Sequence, residues 1–345
     1  MADARRVVWV SQPLIDAVIE PLRAQVELIT TDAVTAWTPE QLAERLAGVD
    51  GAIIPLKERI GAAQLAAAGR LQVIANVGVG YNNLDVDALS AAGILASNTP
   101  DVLTETTADM GFALLMAAAR RITESERWLR DGQWGQWSFQ TMLGADIHGS
   151  TLGILGMGRI GQGIARRGAH GFGMRVLYHN RSRLPAATEA DVGAQYAELD
   201  ALLAQSDHLV LVLPYTAASH HLIDAAALAK MKPTATLVNI ARGGIVDELA
   251  LADALAHGRL AAAGLDVYEG EPQVRPELLA LRNVVLTPHI GSASLGTRKA
   301  MVQLAADNLL AALGVAGEAT RMPSAINADA ALAARAASGD KSKKR

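Results

Sequence analysis

One glycine-rich turn most constrains the fold of this chain. Gly156, Gly158 and Gly161 form the pattern GxGxxG directly after the β-rich run TLGIL, and a helical stretch, RIGQGIARRGAH, starts within it. The first glycine permits a tight turn, the second lets the backbone approach a pyrophosphate, and the third lets helix and strand pack closely. This context favours a dinucleotide site over a glycine-rich turn without a ligand. The intervening Arg159 and Ile160 are candidate cofactor contacts with it.

Strand-like and helical segments alternate on both sides of this turn. Short β-rich runs from RRVVWVS to LQVIANVG precede it, and others from RVLYH to NVVLTPH follow it. Half of the residues are hydrophobic but only 4% are aromatic, so aliphatic side chains must fill most of the core. The sequence predicts an α/β protein with two doubly wound parallel-sheet domains, Rossmann-like or flavodoxin-like, and an active-site cleft between them.

The second strand of the dinucleotide unit, RVLYH, ends without the acid that usually binds a ribose hydroxyl. Asn180 stands there, followed by Arg181, Ser182 and Arg183, and the next acid is Glu189. An aspartate would repel a 2′-phosphate by about 4 kcal/mol per unit charge at an effective dielectric of about 20. Arginine and serine instead donate hydrogen bonds to phosphate oxygens. The stretch predicts NADP(H) in preference to NAD(H), with a solvated basic turn as the alternative.

Charged side chains follow three later strands. Arg242 follows LVNIA, Asp266 and Glu271 lie in GLDVYEGEP, and His289 lies in VVLTPHIGS. Ligands of doubly wound sheets bind beyond the carboxyl ends of the strands, so these four side chains are expected to converge. Each alone has a structural explanation, such as a surface ion pair, a turn cap or an interior histidine. Their order and shared position favour a catalytic site.

The motifs GILGMGRIG, NIARGGIVDE, AAGLDVYEGEP and PHIGSA resemble those of the D-2-hydroxyacid dehydrogenase family, in the family's order. The likeness extends roughly from Val7 to Ala325. VGVGYNNLDVDAL, PDVLTETTADMGFALLMAAARR and YHNRSR are most similar to the glyoxylate/hydroxypyruvate reductase branch, which includes bacterial 2-ketogluconate reductases. The resemblance implies NADPH-dependent reduction of glyoxylate, hydroxypyruvate or 2-ketogluconate to D-2-hydroxy acids by hydride transfer.

The resemblance also assigns roles to the strand-end residues. His289 corresponds to the proton donor to the substrate carbonyl, which suits an imidazole near neutral pH. Glu271 corresponds to its carboxylate partner, which stabilises imidazolium. Arg242 corresponds to the arginine that binds the 2-oxo acid, and Asp266 to a contact near the nicotinamide carboxamide.

Other matched positions complete the predicted site. The backbone N–H groups of Val79 and Gly80 would take the substrate carboxylate, and Lys57 lies in the candidate substrate loop IIPLKERI. Trp137 resembles a residue that reaches over the neighbouring subunit's substrate site, which implies a homodimer. Cofactor-lining positions correspond to Pro214 and Ile240.

The expected domain organisation is discontinuous. Residues 1–99 and 291–326 would form the substrate-binding domain, and residues 100–290 the NADP-binding Rossmann domain, with a dimerisation segment at about 101–150. A long helix predicted within that segment is apolar on nearly every side, which favours a domain or subunit interface. Residues 327–345, which are Ala-rich and end in SGDKSKKR, are expected to form a mobile tail.

Charge and cysteine content limit the remaining function classes. The net charge of −4 gives no global attraction to nucleic acid or a membrane surface. The chain has no cysteine, which excludes disulfides and thiolate metal sites. The start MADARRVVWV has no signal-peptide pattern. We expect a cytoplasmic homodimer that acts on a small molecule.

The adjacent residues His220 and His221 raise the question of a metal site. Neighbouring side chains are expected to diverge, and no third ligand is apparent close by in the sequence. The pair is therefore interpreted as structural, and no metal site is predicted.

Two other functions are compatible with these motifs. One is an NAD(P)-dependent enzyme of the same family with a different 2-oxo acid substrate. A phosphorylated substrate is disfavoured because IIPLKERI lacks the Arg-Ser pair typical of phosphoglycerate dehydrogenases. The other is a non-catalytic dinucleotide-sensing binding protein. A test of turnover with small 2-oxo acids separates enzyme from sensor.

Overall fold

The computed structural model describes residues 5–315 and 321–342, with side chains up to residue 337. Its strands are β1 (Val7–Val10), β2 (Glu27–Thr30), β3 (Gly51–Pro55), β4 (Val73–Val77), β5 (Leu95–Ser97), β6 (Thr151–Leu155), β7 (Arg175–His179), β8 (Ala194–Tyr196), β9 (His208–Leu211), β10 (Thr236–Asn239), β11 (Ala262–Leu265) and β12 (Val284–Leu286). Its α-helices are α1 (Asp16–Ile19), α2 (Pro39–Ala47), α3 (Ala62–Leu65), α4 (Val86–Ala91), α5 (Thr104–Ala119), α6 (Ile122–Arg130), α7 (Arg159–Arg166), α8 (Ala186–Val192), α9 (Leu199–Gln205), α10 (Ala225–Leu228), α11 (Glu248–Ala256), α12 (Pro276–Leu279), α13 (Leu295–Ala312) and α14 (Ala328–Ser342).

The chain divides into two compact units. The first unit comprises Met1–Leu103 and Ser294–Arg345, and the second comprises Thr104–Ala293. The first contains a five-stranded sheet in the order β2-β1-β3-β4-β5, and the second a seven-stranded sheet in the order β12-β11-β10-β9-β6-β7-β8. Every neighbouring strand pair is parallel. The predicted pair of doubly wound α/β domains is confirmed.

The strand order of the second unit creates a topological switch point. From β6 the chain moves outward through β7 and β8, and then returns to the other side of β6 with β9. The central strands β9, β10 and β11 are buried along their whole length, as expected for parallel strands covered on both faces. Ligands of such sheets bind beyond the carboxyl ends of the strands at this point.

The long apolar helix α5 belongs to the core of the second unit. It packs against β10 and β11 of its own sheet and, on another side, against α7. Small residues permit this close approach: a Cβ added to Gly264 would lie 3.1 Å from the Cβ of Leu114. Packing on two sides accounts for the apolar faces that the sequence analysis attributed to a domain or subunit interface.

The structure differs from the expected mobile tail at the C-terminus. Residues 328–342 form helix α14, which packs against α4 and β5 of the first unit. Ala331 is fully buried, and the guanidinium of Arg335 donates to the carbonyl oxygens of Gly93 and Gln72. A run rich in alanine is helix-prone, and these tertiary contacts hold it in place. The basic end, residues 343–345, lies outside the described residues.

Within the described part of the chain, no helix combines the length and apolar character needed to cross a bilayer.

The side chain of Asn327 attaches α14 to the first unit. Its Oδ1 accepts from the Ala96 N–H, and its Nδ2 donates to the Ile94 carbonyl and the Ser90 hydroxyl. Because Asn327→Ala leaves buried backbone groups unpaired, we expect it to lower the free energy of unfolding by about 2 kcal/mol or more. Urea titration followed by circular dichroism measures this. The matched control Leu332→Ala, at an exposed position on the same helix, should change little; equal stability of both variants would contradict the prediction.

Candidate active site

The buried carboxylate of Asp266, just after β11, organises the loop that carries His289. Its Oδ1 accepts from the Thr287 hydroxyl (2.7 Å) and the Ile290 N–H (2.8 Å), and its Oδ2 accepts from the Gly291 N–H (2.7 Å). The carbonyl of the same residue accepts from the His289 N–H at 2.9 Å. The hydrogen bonds give Asp266 a positioning role, and the cofactor contact that the sequence predicts for it stays a prediction.

His289 and Glu271 form a hydrogen-bonded pair. Their Nδ1 and Oε2 atoms lie 2.8 Å apart, and His289 has a positive φ of 52°, a conformation uncommon outside glycine. The side chain of each residue is about one-third exposed. Because Nδ1 faces the carboxylate, Nε2 is the ring atom left for a substrate.

The environment keeps Glu271 ionised. Burial alone would raise the pKa of Glu271, but the hydrogen bond and charge of His289, the Tyr268 N–H and the charge of Arg242 together lower it. A carboxylate that stays charged at neutral pH stabilises an imidazolium at His289. The pair can therefore hold a proton ready for transfer.

Arg242 lies beside this pair, at the turn after β10. Asn239 shapes the turn, because its side chain donates to the Arg242 carbonyl and accepts from the Ala241 N–H. Burial lowers the pKa of Arg242, and the charge of Glu271 opposes that shift. An arginine stays protonated in proteins, so a half-buried cation stands next to the His–Glu pair.

Glu248, in α11, was not singled out in the sequence analysis, although it ends the motif NIARGGIVDE. It is buried, and its Oε1 accepts from the Glu269 N–H at 2.6 Å, while Arg275 Nε lies 3.4 Å from Oε2. Burial raises the pKa of Glu248. The residue ties the start of α11 to the segment that carries Glu271. In the sequence, Glu248 cannot be distinguished from an ordinary surface residue, because charged residues are common next to a helix cap.

The glycine turn has the sterics expected of a dinucleotide site. Gly156 has a φ of 102°, and a Cβ there would lie 2.7 Å from the Leu213 nitrogen. A Cβ at Gly161 would lie 2.3 Å from the Gly156 carbonyl oxygen, whereas the space around Gly158 is open. Gly158 caps α7, so this open space lies at the N-terminus of that helix, where a phosphate fits.

In the polar turn after β7, some side chains make hydrogen bonds within the protein and others face the solvent. The Asn180 Oδ1 accepts from the Met157 N–H at 2.6 Å and so supports the glycine turn. Arg183 makes two hydrogen bonds of 2.8 Å to the carboxylate of Glu189. Arg181 and Ser182 are exposed, and the Arg181 side chain has no ion pair within the described ranges.

The buried Tyr178 hydroxyl completes the Arg183–Glu189 pair, since it donates to Glu189 at 2.7 Å. The hydrogen bonds from Arg183 and Tyr178 lower the pKa of Glu189 to about 2. The predicted phosphate contact of Arg183 therefore competes with this ion pair, which residue spacing does not reveal.

The other predicted cofactor residues differ in exposure. The side chain of Ile240 is buried in the core of the second unit, close to Gly111 of α5. Pro214 is exposed in the loop after β9.

The predicted substrate-binding residues of the first unit lie in two loops: Lys57 follows β3, and Val79 and Gly80 follow β4. Asn98 donates to the Val79 carbonyl at 2.8 Å, and Asn76 donates to the Gly80 carbonyl at 3.1 Å. The N–H groups of Val79 and Gly80 have no acceptor among the residues that the structure describes. Lys57 is exposed.

The adjacent histidines do not diverge, contrary to the sequence expectation. His221 has a φ of 49°, and its ring stacks on that of His220, with centroids 3.9 Å apart and planes 23° apart. Glu269 supplies a third group, since its Oε1 lies 3.1 Å from His221 Nε2. The left-handed backbone conformation, which the residue order does not reveal, brings the rings together.

Known proteins resemble this chain over most of its length. The family described as D-isomer specific 2-hydroxyacid dehydrogenase, NAD binding domain, matches residues 112–291. A glyoxylate reductase from Thermococcus onnurineus (strain NA1) is 48% identical over 297 residues, which are 85% of this chain and 88% of the relative. Glyoxylate/hydroxypyruvate reductase B from Enterobacter agglomerans is 45% identical over 297 residues, or 85% of this chain and 92% of the relative.

A solved structure agrees with these matches. The NADPH-dependent glyoxylate/hydroxypyruvate reductase from Sinorhizobium meliloti, in complex with NADP and malonate, has a TM-score of 0.80 and 34% identity. The alignment covers 94% of this chain and 97% of that one. Together with the geometry of the His–Glu pair and the glycine turn, these matches show that the chain belongs to the D-isomer specific 2-hydroxyacid dehydrogenase family.

Proposed function

We propose that this chain reduces glyoxylate and hydroxypyruvate to D-2-hydroxy acids with NADPH, and that 2-ketogluconate is a further substrate. The observation that carries the proposal is the 2.8 Å contact between His289 Nδ1 and Glu271 Oε2, with the cation of Arg242 beside it. The relatives that are glyoxylate reductases and glyoxylate/hydroxypyruvate reductases support the substrate class. The absence of cysteine suits a reducing cytoplasm.

The residues of the chain divide the chemistry between them. A nicotinamide, when bound, supplies the hydride. His289 donates a proton from Nε2 to the substrate carbonyl oxygen, and Glu271 keeps the imidazole protonated before transfer. Arg242 attracts the carboxylate of a 2-oxo acid and stabilises negative charge that develops on the carbonyl oxygen. Asp266 holds the histidine loop in place.

The substrate carboxylate has a second set of donors. The N–H groups of Val79 and Gly80 are available, because the asparagine contacts of this loop use only the carbonyl oxygens. Lys57 adds a positive charge beyond the neighbouring strand β3. We assign these three residues to substrate binding in the first unit.

NADP(H) rather than NAD(H) is the proposed cofactor, with NAD(H) as a weaker alternative. The open glycine turn would hold the pyrophosphate, and Arg181 with Ser182 would hold the 2′-phosphate. Arg183 is the less available cation, because Glu189 already binds it. The NADP complex of the Sinorhizobium meliloti enzyme supports the cofactor class.

A homodimer is the proposed assembly. The segment between α6 and β6 exposes several large apolar side chains, including Trp137 and Phe139, which are 71% and 84% exposed. Contiguous exposed apolar side chains usually mark an interaction site. We assign the exposed part of the predicted dimerisation segment at about 101–150, the stretch between α6 and β6, to the subunit contact, with Trp137 reaching the substrate site of the second subunit.

The main test measures enzymatic turnover and its dependence on the His–Glu pair. Purified protein with NADPH and either glyoxylate or hydroxypyruvate should oxidise the cofactor, as followed by nicotinamide absorbance. His289→Ala should lower kcat by about 10²- to 10⁴-fold, the usual contribution of a general acid, and leave NADPH affinity unchanged. Glu271→Gln, which removes the carboxylate that faces His289 Nδ1, should also lower kcat and leave NADPH affinity unchanged.

The control for this test is His257→Ala, which replaces an exposed histidine at the end of α11. Absence of turnover with any small 2-oxo acid would rule out the proposed reductase activity and favour a dinucleotide-sensing protein. Loss of NADPH binding in His289→Ala would show that the residue holds the cofactor instead.

Cofactor preference should depend on Arg181 more than on Arg183. Arg181→Ala should raise the KM for NADPH on the order of 10-fold or more and change that for NADH little, because one charge-assisted hydrogen bond contributes about 1.5–3 kcal/mol. Arg183→Ala should discriminate less between the two cofactors, with a smaller difference between the changes in KM for NADPH and for NADH. Glu189→Gln, which releases Arg183 and can still accept from the Tyr178 hydroxyl, should increase the preference for NADPH. Equal changes for both cofactors in Arg181→Ala would identify this turn as an ordinary basic surface.

The dimer proposal predicts that a charge in the exposed apolar segment dissociates the subunits. Phe139→Glu should shift the sedimentation velocity profile from dimer to monomer, because burial of an unpaired carboxylate in an apolar contact is unfavourable. Val34→Glu, at a comparably exposed apolar position in the first unit, serves as the control. A dimer that persists in Phe139→Glu would place the interface elsewhere.

A further inference from the structure

Three metal-ligating side chains converge on the surface of the second unit, apart from the catalytic pair. One ligand atom from each of His220, His221 and Glu269 lies within 4.8 Å of the other two. We propose that these residues form a binding site for a divalent transition metal, with Zn²⁺ as the representative ion.

Two chain segments meet to build this site. The histidines follow the loop after β9, and Glu269 follows β11 three residues beyond Asp266. The positive φ of His221 turns its ring alongside that of His220 and points Nε2 at the carboxylate, at 3.1 Å. Adjacent residues in extended backbone would face apart, so the left-handed conformation is what creates the ligand pair.

The surroundings orient the ligands. The Tyr215 hydroxyl lies 3.1 Å from His220 Nδ1, and such an outer hydrogen bond fixes the ring and leaves the other nitrogen for an ion. Gly244 packs beneath these rings, since a Cβ there would lie 2.9 Å from the Tyr215 ring and 3.5 Å from His220 Nδ1. The loop that carries the histidines is therefore held in place by its packing against Gly244, which reduces the entropy lost when an ion orders the ligands.

The donor set selects the class of ion. Imidazole suits Zn²⁺, Cu²⁺ and Ni²⁺, whereas Mg²⁺ takes oxygen ligands, and two histidines with one glutamate form a recurrent zinc arrangement with a fourth position open. In a tetrahedral site, two ligands bonded at about 2.1 Å lie about 3.4 Å apart. The ligand atoms, which lie within 4.8 Å of one another, must therefore close by about 1.4 Å or less, and His220 has room to move because it is exposed.

One neighbouring charge opposes the ion. Arg275 lies 3.3 Å from Glu269 Oε2, so the site shares its carboxylate with a guanidinium. The other oxygen, Oε1, faces the histidines. Arg275 also lies near Glu248, which gives the guanidinium a second acceptor when an ion draws Glu269 away.

Zinc titration of tag-free protein, freed of metal by a chelator, tests the site near neutral pH. Because the chain has no cysteine, thiolate binding cannot obscure the result. Calorimetry should detect one equivalent of Zn²⁺, and the melting temperature should rise with zinc concentration. His221→Asn, which tolerates the positive φ, and Glu269→Gln should each weaken binding by at least about tenfold. Mg²⁺ should not compete.

Two control variants locate the ion. His257→Asn removes the exposed histidine that pairs with Asp253, and Glu271→Gln disrupts the catalytic pair; both should bind Zn²⁺ as the parent does. Zinc affinity that survives in His221→Asn, or that disappears in Glu271→Gln, would overturn the proposal. If His221→Asn fails to fold by circular dichroism, His220→Gln makes the same test without a change at the strained position.

Discussion

The geometry of the candidate active site depends on the hydrogen bonds that the carboxylate of Asp266 accepts. It is buried at the end of β11, where a carboxylate without donors would be strongly unfavourable. Its donors all come from the loop after β12, and this loop holds His289 in a conformation that few residues adopt. The requirement to satisfy one buried carboxylate thus helps to fix where the imidazole meets Glu271.

Local physical rules made much of this fold and site predictable from the sequence. The glycine turn was identifiable because its sterics are local: a Cβ would collide with the backbone at Gly156 and Gly161, and the space at Gly158 is open. The strands were identifiable because buried parallel strands are continuous apolar runs. Arg242, Glu271 and His289 were identifiable because strand ends share one edge of the sheet, although 18 residues separate the last two.

Features that depend on tertiary contacts were not predictable in this way. The pairing of Arg183 with Glu189 requires α8 to return to the end of β7, and residue spacing alone gave no reason to exclude Arg183 from phosphate binding. The stacking of His220 on His221 depends on one backbone angle. In the sequence, helix α14 resembles a solvated tail because its alanines carry little hydrophobic pattern, whereas its attachment depends on the tertiary hydrogen bonds of Asn327 and Arg335.

The interrupted first unit has a consequence for biosynthesis. During translation, β1 to β5 are made before the second unit, but α13, which covers β3 and β4, and α14, which covers β5, are made only after the whole second unit. The second unit is continuous in sequence and can fold as soon as it is complete, whereas the early sheet must wait with one face uncovered. The order of the elements along the chain therefore separates the synthesis of this sheet from the synthesis of the helices that complete its packing.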